Sequence, residues 1–183
     1  MPSLELRYFG HDQAPDIREL LLDIHDEVYA ELGEGTSFET RDRFAWFVDH
    51  WSARPGFSCV VGYDQGEPVG YGYGAPLGEN APNSWWKTLE PLDPGFTRED
   101  GTRTFAMSEG MVRKQWRGKG VAHRIHEEFA ATRTEERLTL YVDGAHEKVA
   151  ALYQSWGYEP VGQVRPFEDS PLFTVMIRPR LIP

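Results

Sequence analysis

"VRKQWRGKGVAHRIHEEF", residues 112–129, sets three small residues among basic side chains and runs straight into an amphipathic helical pattern. Gly118, Gly120 and Ala122 remove side-chain bulk from a short bend, so backbone N–H groups can come close to a ligand. Behind the bend, Val121, Ile125 and Phe129 share one helical face. The first turn of a helix has unpaired N–H groups at the positive end of its dipole. The guest this stretch predicts is therefore an anion, specifically a phosphate.

Outward from the bend, "TRTFAMSEGMV" reads as the strand that enters it. "RLTLYVD" is a further strand, and "HEKVAALYQSWG" a helix with Val149, Leu152, Tyr153 and Trp156 on one side. Two more strands, around "EPVGQVR" and "LFTVMIRP", follow. Toward the N-terminus, "SLELRYFG" alternates as a first strand. "APDIRELLLDIHDEVYAEL" then spaces Ile17, Leu20, Leu21, Ile24, Val28 and Leu32 as a helix, with Asp16 and Glu19 as a capping box and Gly33 as its stop. A second helix in "ETRDRFAWFVDHWSAR" puts Phe44, Phe47, Val48 and Trp51 on one face and stops at Pro55-Gly56.

"FSCVVGYD" and "EPVGYGYGAPL" predict a hairpin turning at Gln65-Gly66. In its second strand Val69, Tyr71 and Tyr73 alternate with Gly70, Gly72 and Gly74, so one face is aromatic and the other nearly bare. Residues 79–101 carry turn formers and little periodicity, which predicts a long loop with room for one short helix at the tryptophans. The order strand, two helices, three strands, helix, strand, helix, two strands predicts one mixed α/β or α+β sheet domain over residues 1–183.

Composition narrows the class. Apolar residues make up 40% and charged residues 26%, with no apolar run long enough to span a bilayer, which favours a soluble globular protein. "MPSLELRYFG" has no basic n-region or apolar h-region, and the single Cys59 cannot form an internal disulfide, so a cytoplasmic location is expected. The net charge of −10 argues against nucleic acid and leans toward a cationic partner, although an acidic surface also serves solubility.

Arg117-Gly118-Lys119-Gly120-Val121-Ala122 resembles the arginine-x-x-glycine-x-glycine/alanine signature of the GNAT superfamily of acyl-CoA N-acyltransferases. Val112, five residues before Arg117, lies where that family ends its fourth strand. "HEKVAALYQSWGYEPVG" is similar to the family's last helix and following strand, with Leu152-Tyr153 and Gly157-Tyr158 matching and His146 where asparagine is common. The resemblance implies a twisted, mostly antiparallel sheet flanked by helices and splayed between strands four and five. It also implies acetyl-CoA as cofactor, with the backbone of Arg117, Gly118, Lys119, Gly120, Val121 and Ala122 on the pyrophosphate and that of Met111 and Val112 along the pantetheine arm. His146 is a further candidate for a cofactor contact.

Acylating an alkyl amine requires removal of a proton, since such an amine has a pKa of about 10.4. Glu109 is a candidate base, directly or through water; an exposed strand carboxylate and an anchor for a cationic group are the alternatives. By family analogy the phenol of Tyr153 would protonate the leaving thiolate, its other reading being a core tyrosine. A strand-four N–H near Val112 would stabilise the oxyanion. Trp85-Trp86 read either as a packed lid or, with Tyr71 and Tyr73, as walls of an acceptor pocket suited to a cation.

Arg113, Lys114 and Lys119 are candidate point charges for the phosphates, or simply solvated. His123 with His126 reads as a solvated face without a metal set, His25 as a polar helix edge, and Cys59 as a small buried residue. The implied activity is transfer of an acetyl group to a primary amine of a small molecule or peptide by direct attack in a ternary complex. A noncatalytic acyl-CoA-binding domain is the alternative. No nucleic acid or membrane partner is expected, and the chain could be a monomer or a homodimer.

Overall fold

A computed structural model of the chain describes residues 4–31, 40–79, 85–87, 89 and 93–180. Among the described residues seven strands, β1 (Leu4–Gly10), β2 (Ser58–Asp64), β3 (Glu67–Pro76), β4 (Thr104–Val112), β5 (Arg137–Asp143), β6 (Glu159–Val164) and β7 (Phe173–Pro179), are hydrogen-bonded in the order β1-β2-β3-β4-β5-β7-β6, mostly antiparallel, with β4 and β5 parallel. The chain forms two compact units, one of residues 1–75 and 108–133 and the other of residues 76–107 and 134–183. No helix among the described residues is long and apolar enough to cross a membrane.

In the first unit, β1 (Leu4–Gly10) leads through a 3-10 turn into α1 (Ala14–Ala30). The expected capping box does not form, because the helix begins earlier and takes Asp16 and Glu19 into its interior. The Gln13 side chain instead accepts from the Gly10 amide at 3.1 Å, and Pro15 fits the first turn, where no amide is needed. Leu32 and Gly33 lie outside the described residues. Ile17, Leu21, Leu22 and Ile24 are buried, and so is His25 at 2% exposure, which corrects its reading as a polar edge. Its ring stacks on Phe44 at 4.1 Å.

Thr40 caps α2 (Arg41–Ser52) by accepting from the Arg43 amide, and Phe44, Val48 and Trp51 face inward. β2 (Ser58–Asp64) and β3 (Glu67–Pro76) form the expected hairpin, its turn built by Gln65 and Gly66 at φ 51 and 84. Cys59 is fully buried in β2, and burial pushes its thiol up. The two faces of β3 serve different helices. On the bare face, a Cβ on Gly72 would lie 3.2 Å from the Phe129 ring and 3.4 Å from Ile125, so its missing side chain makes room for α4 (residues Val121–Thr132), while a Cβ on Gly70 would meet the Met111 carbonyl and Val112 of the neighbouring strand. On the other, the Tyr71 hydroxyl reaches the Leu21 carbonyl and Tyr73 lies beside Phe44 and Phe57.

The fourth strand, β4 (Thr104–Val112), starts in the second unit and ends in the first. In the second unit its pairing with β5 (Arg137–Asp143) runs from Thr104↔Arg137 to Met107↔Leu140 and stops five residues before β4 ends. β7 (Phe173–Pro179) pairs antiparallel with β5 on one side and with β6 (Glu159–Val164) on the other. The short helix expected at the tryptophans lies later, as α3 (Pro94–Thr97). There Asp93 caps the Gly95 amide at 3.0 Å and Pro94 fixes the first turn. The helix α5 (Glu147–Ser155) buries no residue, and Val149 and Leu152 are exposed at 41% and 44%, against the inward face expected for them. At its C-terminal end Tyr153 meets Trp156 and Tyr158 edge-on.

Candidate active site

The first unit holds the bend and the end of the strand that enters it. Beyond Val112 the chain makes a 3-10 turn at Lys114–Trp116, anchored by the Trp116 indole N–H donating to Asp64 at 3.2 Å, and then bends into α4. Gly118 and Gly120 adopt φ 71 and 79, the left-handed region in which other residues are strained, and a Cβ at either would meet nothing within 4 Å. Glycine is thus required by conformation, and no chain atom crowds the outer side of the bend. Gly120 is the N-cap of the twelve-residue α4, and no side chain caps that end. Exposed residues at Arg117, Gly118, Lys119, Gly120 and Ala122, with an uncapped helix start at Gly120, suit a phosphate anion.

Arg117 is partly committed within the chain: its Nε donates to the Val112 carbonyl at 2.8 Å and its Nη1 lies 3.2 Å from Glu31. Arg113 is more fully so, being bound to the Pro68 carbonyl and to Glu27, which removes it from the candidate phosphate charges. Lys114 and Lys119 stay exposed.

Along β4, Met111 is buried and its sulfur accepts from the Tyr71 hydroxyl at 3.2 Å. Two residues back and on the same face, Glu109 retains some surface, yet its carboxyl is densely surrounded. Burial pushes that carboxyl up to about 7, against the opposing effect of the Gly110 amide that it accepts from at 3.1 Å. Tyr71 and Tyr73, each 1% exposed and stacked 6.1 Å apart, are held well above the usual phenol range, first by burial and then by the neighbouring Glu109 charge. Ser108 hydrogen-bonds the Tyr73 phenol. Glu109 therefore has two buried phenols as neighbours and a proton that leaves near neutrality. That is the property a general base needs.

In the second unit, Tyr153 is half-buried against Trp156 and Tyr158. His146 is the exposed N-cap of α5, 3.9 Å from Asp143, with no side-chain cap bond. Trp85 and Trp86 are buried and their N–H groups are spent within the unit, on Thr139 at 3.2 Å and Glu99 at 3.1 Å; Trp85 also stacks on Tyr141 at 4.0 Å. This is the arrangement of a packed lid. Beneath it, Glu99 also accepts from Thr104 at 2.7 Å and from Arg137 at 3.0 Å.

His126, expected on a solvated face, is buried at 1% exposure, while His123 remains exposed. Among the described residues, no group of three or more His, Cys, Asp or Glu could hold a metal. The ties of Arg113 and Arg117 to Glu27 and Glu31 are not legible in the sequence. The only hint is two carboxylates four apart at the end of a helix and two arginines four apart beside the bend.

The sequence profile of the acetyltransferase (GNAT) family matches residues 15–158. No curated protein matches by sequence. Among solved structures, an acetyltransferase from Thermus thermophilus is 20% identical with a TM-score of 0.61, over 98% of this chain and 99% of that one. An aminoglycoside 6'-acetyltransferase type Ii is 18% identical with a TM-score of 0.65, over 98% and 99%. A spermidine N-acetyltransferase chimera from Vibrio cholerae is 13% identical with a TM-score of 0.60, over 97% and 95%. At these identities the likeness is one of fold.

Proposed function

Because this chain belongs to the acetyltransferase (GNAT) family, we propose that it moves an acetyl group from acetyl-CoA to the primary amine of a small molecule or peptide, by direct attack in a ternary complex. The observation that carries the reading is the left-handed bend at Gly118 and Gly120 opening into an uncapped α4. In this reading the backbone of residues 117–122 holds the pyrophosphate, and the backbone of Met111 and Val112 aligns the pantetheine arm as an added strand would. The cofactor supplies the thioester carbon that the amine attacks.

Glu109 takes the ammonium proton, directly or through water; its carboxyl near 7 is ionised in a useful fraction at neutral pH and still basic enough to accept it. The Val112 amide region donates to the carbonyl oxygen as negative charge gathers there, a contact worth about 3 kcal/mol in comparable sites. Tyr153 supplies the proton to the departing thiolate, and His146 a side contact to the cofactor; both roles rest on the family resemblance. Tyr71 and Tyr73 act on the acceptor through Glu109, whose charge they surround. Relatives named for spermidine and for an aminoglycoside support an amine acceptor.

The matched stretch includes parts of both units, so residues 1–183 are read as one acetyltransferase domain; a cytoplasmic location is part of the same proposal. The test is CoA release from acetyl-CoA, followed chromatographically, with a panel of polyamines, aminoglycosides, amino acids and peptides. Amine-dependent release with at least one acceptor is expected. Tight CoA binding with no acceptor-dependent release across the panel would overturn the proposed chemistry.

A further inference from the structure

We propose that Arg113 is a positioning residue for the cofactor bend, pinning the exit of β4 to α1 and to the start of β3 so that residues 117–122 are presented in one place; this rests on reading those residues as the cofactor cradle. The side chain is 17% exposed and ties its own segment to two others. Its Nη2 donates to Glu27 of α1 at 2.7 Å, its Nη1 donates to the Pro68 carbonyl at 2.6 Å, and the same Nη1 lies 3.5 Å from Glu67. Its own amide donates to the Val69 carbonyl at 2.9 Å, and its carbonyl accepts from the Trp116 amide at 2.9 Å, closing the 3-10 turn. Arg113 therefore sits where the strand ends and the turn into the bend begins.

A second rung follows four residues later, where Arg117 meets Glu31 at 3.2 Å while donating to the Val112 carbonyl. Both acidic partners lie at the C-terminal end of α1, which has no basic residue in its last turn. Carboxylates there oppose the negative end of the helix dipole, so the two arginines offset a charge arrangement that α1 alone would disfavour. The rest of the link is held by the buried Trp116, whose indole donates to Asp64 at 3.2 Å. From Arg113 to Gly120 only Trp116 is buried, and Lys114, Gln115 and residues 117–120 are exposed.

A planar guanidinium can serve a carboxylate and a carbonyl in fixed directions, whereas an ammonium is a point charge on a flexible stem. Because Nη1 and Nη2 of Arg113 both donate within the chain, the residue acts on the cofactor through backbone placement. Small displacements of a binding element cost binding and rate out of proportion to their size.

The test is calorimetric titration of the full chain with CoA, together with steady-state kinetics, on the parent and on Arg113→Gln, Arg113→Lys and Glu27→Gln. Arg113→Gln is expected to raise the CoA Kd and the acetyl-CoA KM about tenfold, the scale of a charge-assisted hydrogen bond. Arg113→Lys should recover little of that loss, Glu27→Gln should shift Kd less and in the same direction, and the pH profile of kcat should overlay the parent's. A folded Arg113→Gln that binds CoA as tightly as the parent, with only its thermal midpoint lowered, would overturn the proposal. Should Arg113→Gln not fold, Glu27→Gln decides: an unchanged Kd there overturns the proposal, and a raised one supports it. A parent chain that does not bind CoA overturns the cofactor reading of the bend itself, so the two failures are distinguishable.

Discussion

The Gly110 amide donates to Oε1 of Glu109 across 3.1 Å, one hydrogen bond to the charged form set against the crowding that desolvates the carboxyl. Burial wins, and the proton leaves near pH 7 instead of the ordinary 4.5. With Glu109 as base, kcat/KM should rise with pH through an inflection near that value, separate from the one contributed by the acceptor amine. Glu109→Gln should lower the rate and erase the inflection while leaving CoA affinity as it was. A variant profile that overlaid the parent's would assign the proton to another group or to bulk water.

The same shift sets a trend in stability. Between 4.5 and about 7 the folded chain keeps a proton on Glu109 that the unfolded chain has released, so stability falls as pH rises through that window. The contribution is fully present below the lower value and lost above the upper one. Glu109→Gln should remove the trend, melting above the parent at about pH 8 by roughly 3 °C for each kcal/mol relieved, and matching it at about pH 4. Thermal unfolding at the two pH values reads this directly.

At Gly120 conformation and charge can be separated. A Cβ meets no neighbour, so Gly120→Ala should cost only the strain of φ 79, about 1 kcal/mol by urea unfolding. Gly120→Glu carries the same strain and adds a negative charge where phosphate is proposed to sit, so it should weaken CoA binding beyond the alanine variant. Equal CoA affinity in the two variants would remove the pyrophosphate from this bend.

Beneath the tryptophans, Glu99 joins Trp86, Thr104 and Arg137 in a buried cluster in which the Glu99 side chain is 0% exposed. Glu99→Ala leaves the Arg137 guanidinium buried without its counter-charge and should destabilise by about 3–5 kcal/mol. Glu136→Ala, which breaks only the outer pair with Arg103 at a 70% exposed carboxylate, should cost less than about 1 kcal/mol. Comparable losses in urea unfolding would show that the inner cluster is not held by its charge pair.

Tyr153→Phe keeps the ring that packs on Trp156 and Tyr158 and removes only the hydroxyl. The fold and CoA affinity should survive, and single-turnover acetyl transfer should slow by about 10²-fold if proton donation limits the chemical step. Steady-state rates alone can hide the effect behind product release. A variant as fast as the parent in single turnover returns Tyr153 to a packing role.

What the sequence made legible follows from periodicity and backbone chemistry. The Gln65-Gly66 turn, the inward faces of α2 and α4 and the glycine bend all depend on residues close together in the chain. The misreadings have tertiary causes. His25 is buried because Phe44, on another helix, offers it a flat ring, and no local pattern announces such a partner. The apolar spacing of α5 is real, yet Tyr153 and Trp156 are half-buried against each other while Val149 and Leu152 stay largely exposed. In the sequence Arg113 looks like one more basic residue beside the glycine bend, and its partners Glu27 and Pro68 are far away in the chain.

The burial of Cys59 bears on how this chain can be assayed. It is the chain's single thiol, enclosed in β2 and held well above the ordinary thiol range, so almost none of it is thiolate at neutral pH. A disulfide reagent added to the native protein should therefore register the thiol of released CoA against a silent background. The same reagent, with no cofactor present, should report one equivalent per chain only as the protein unfolds, so one chromophore can count turnovers in one cuvette and opening events in another.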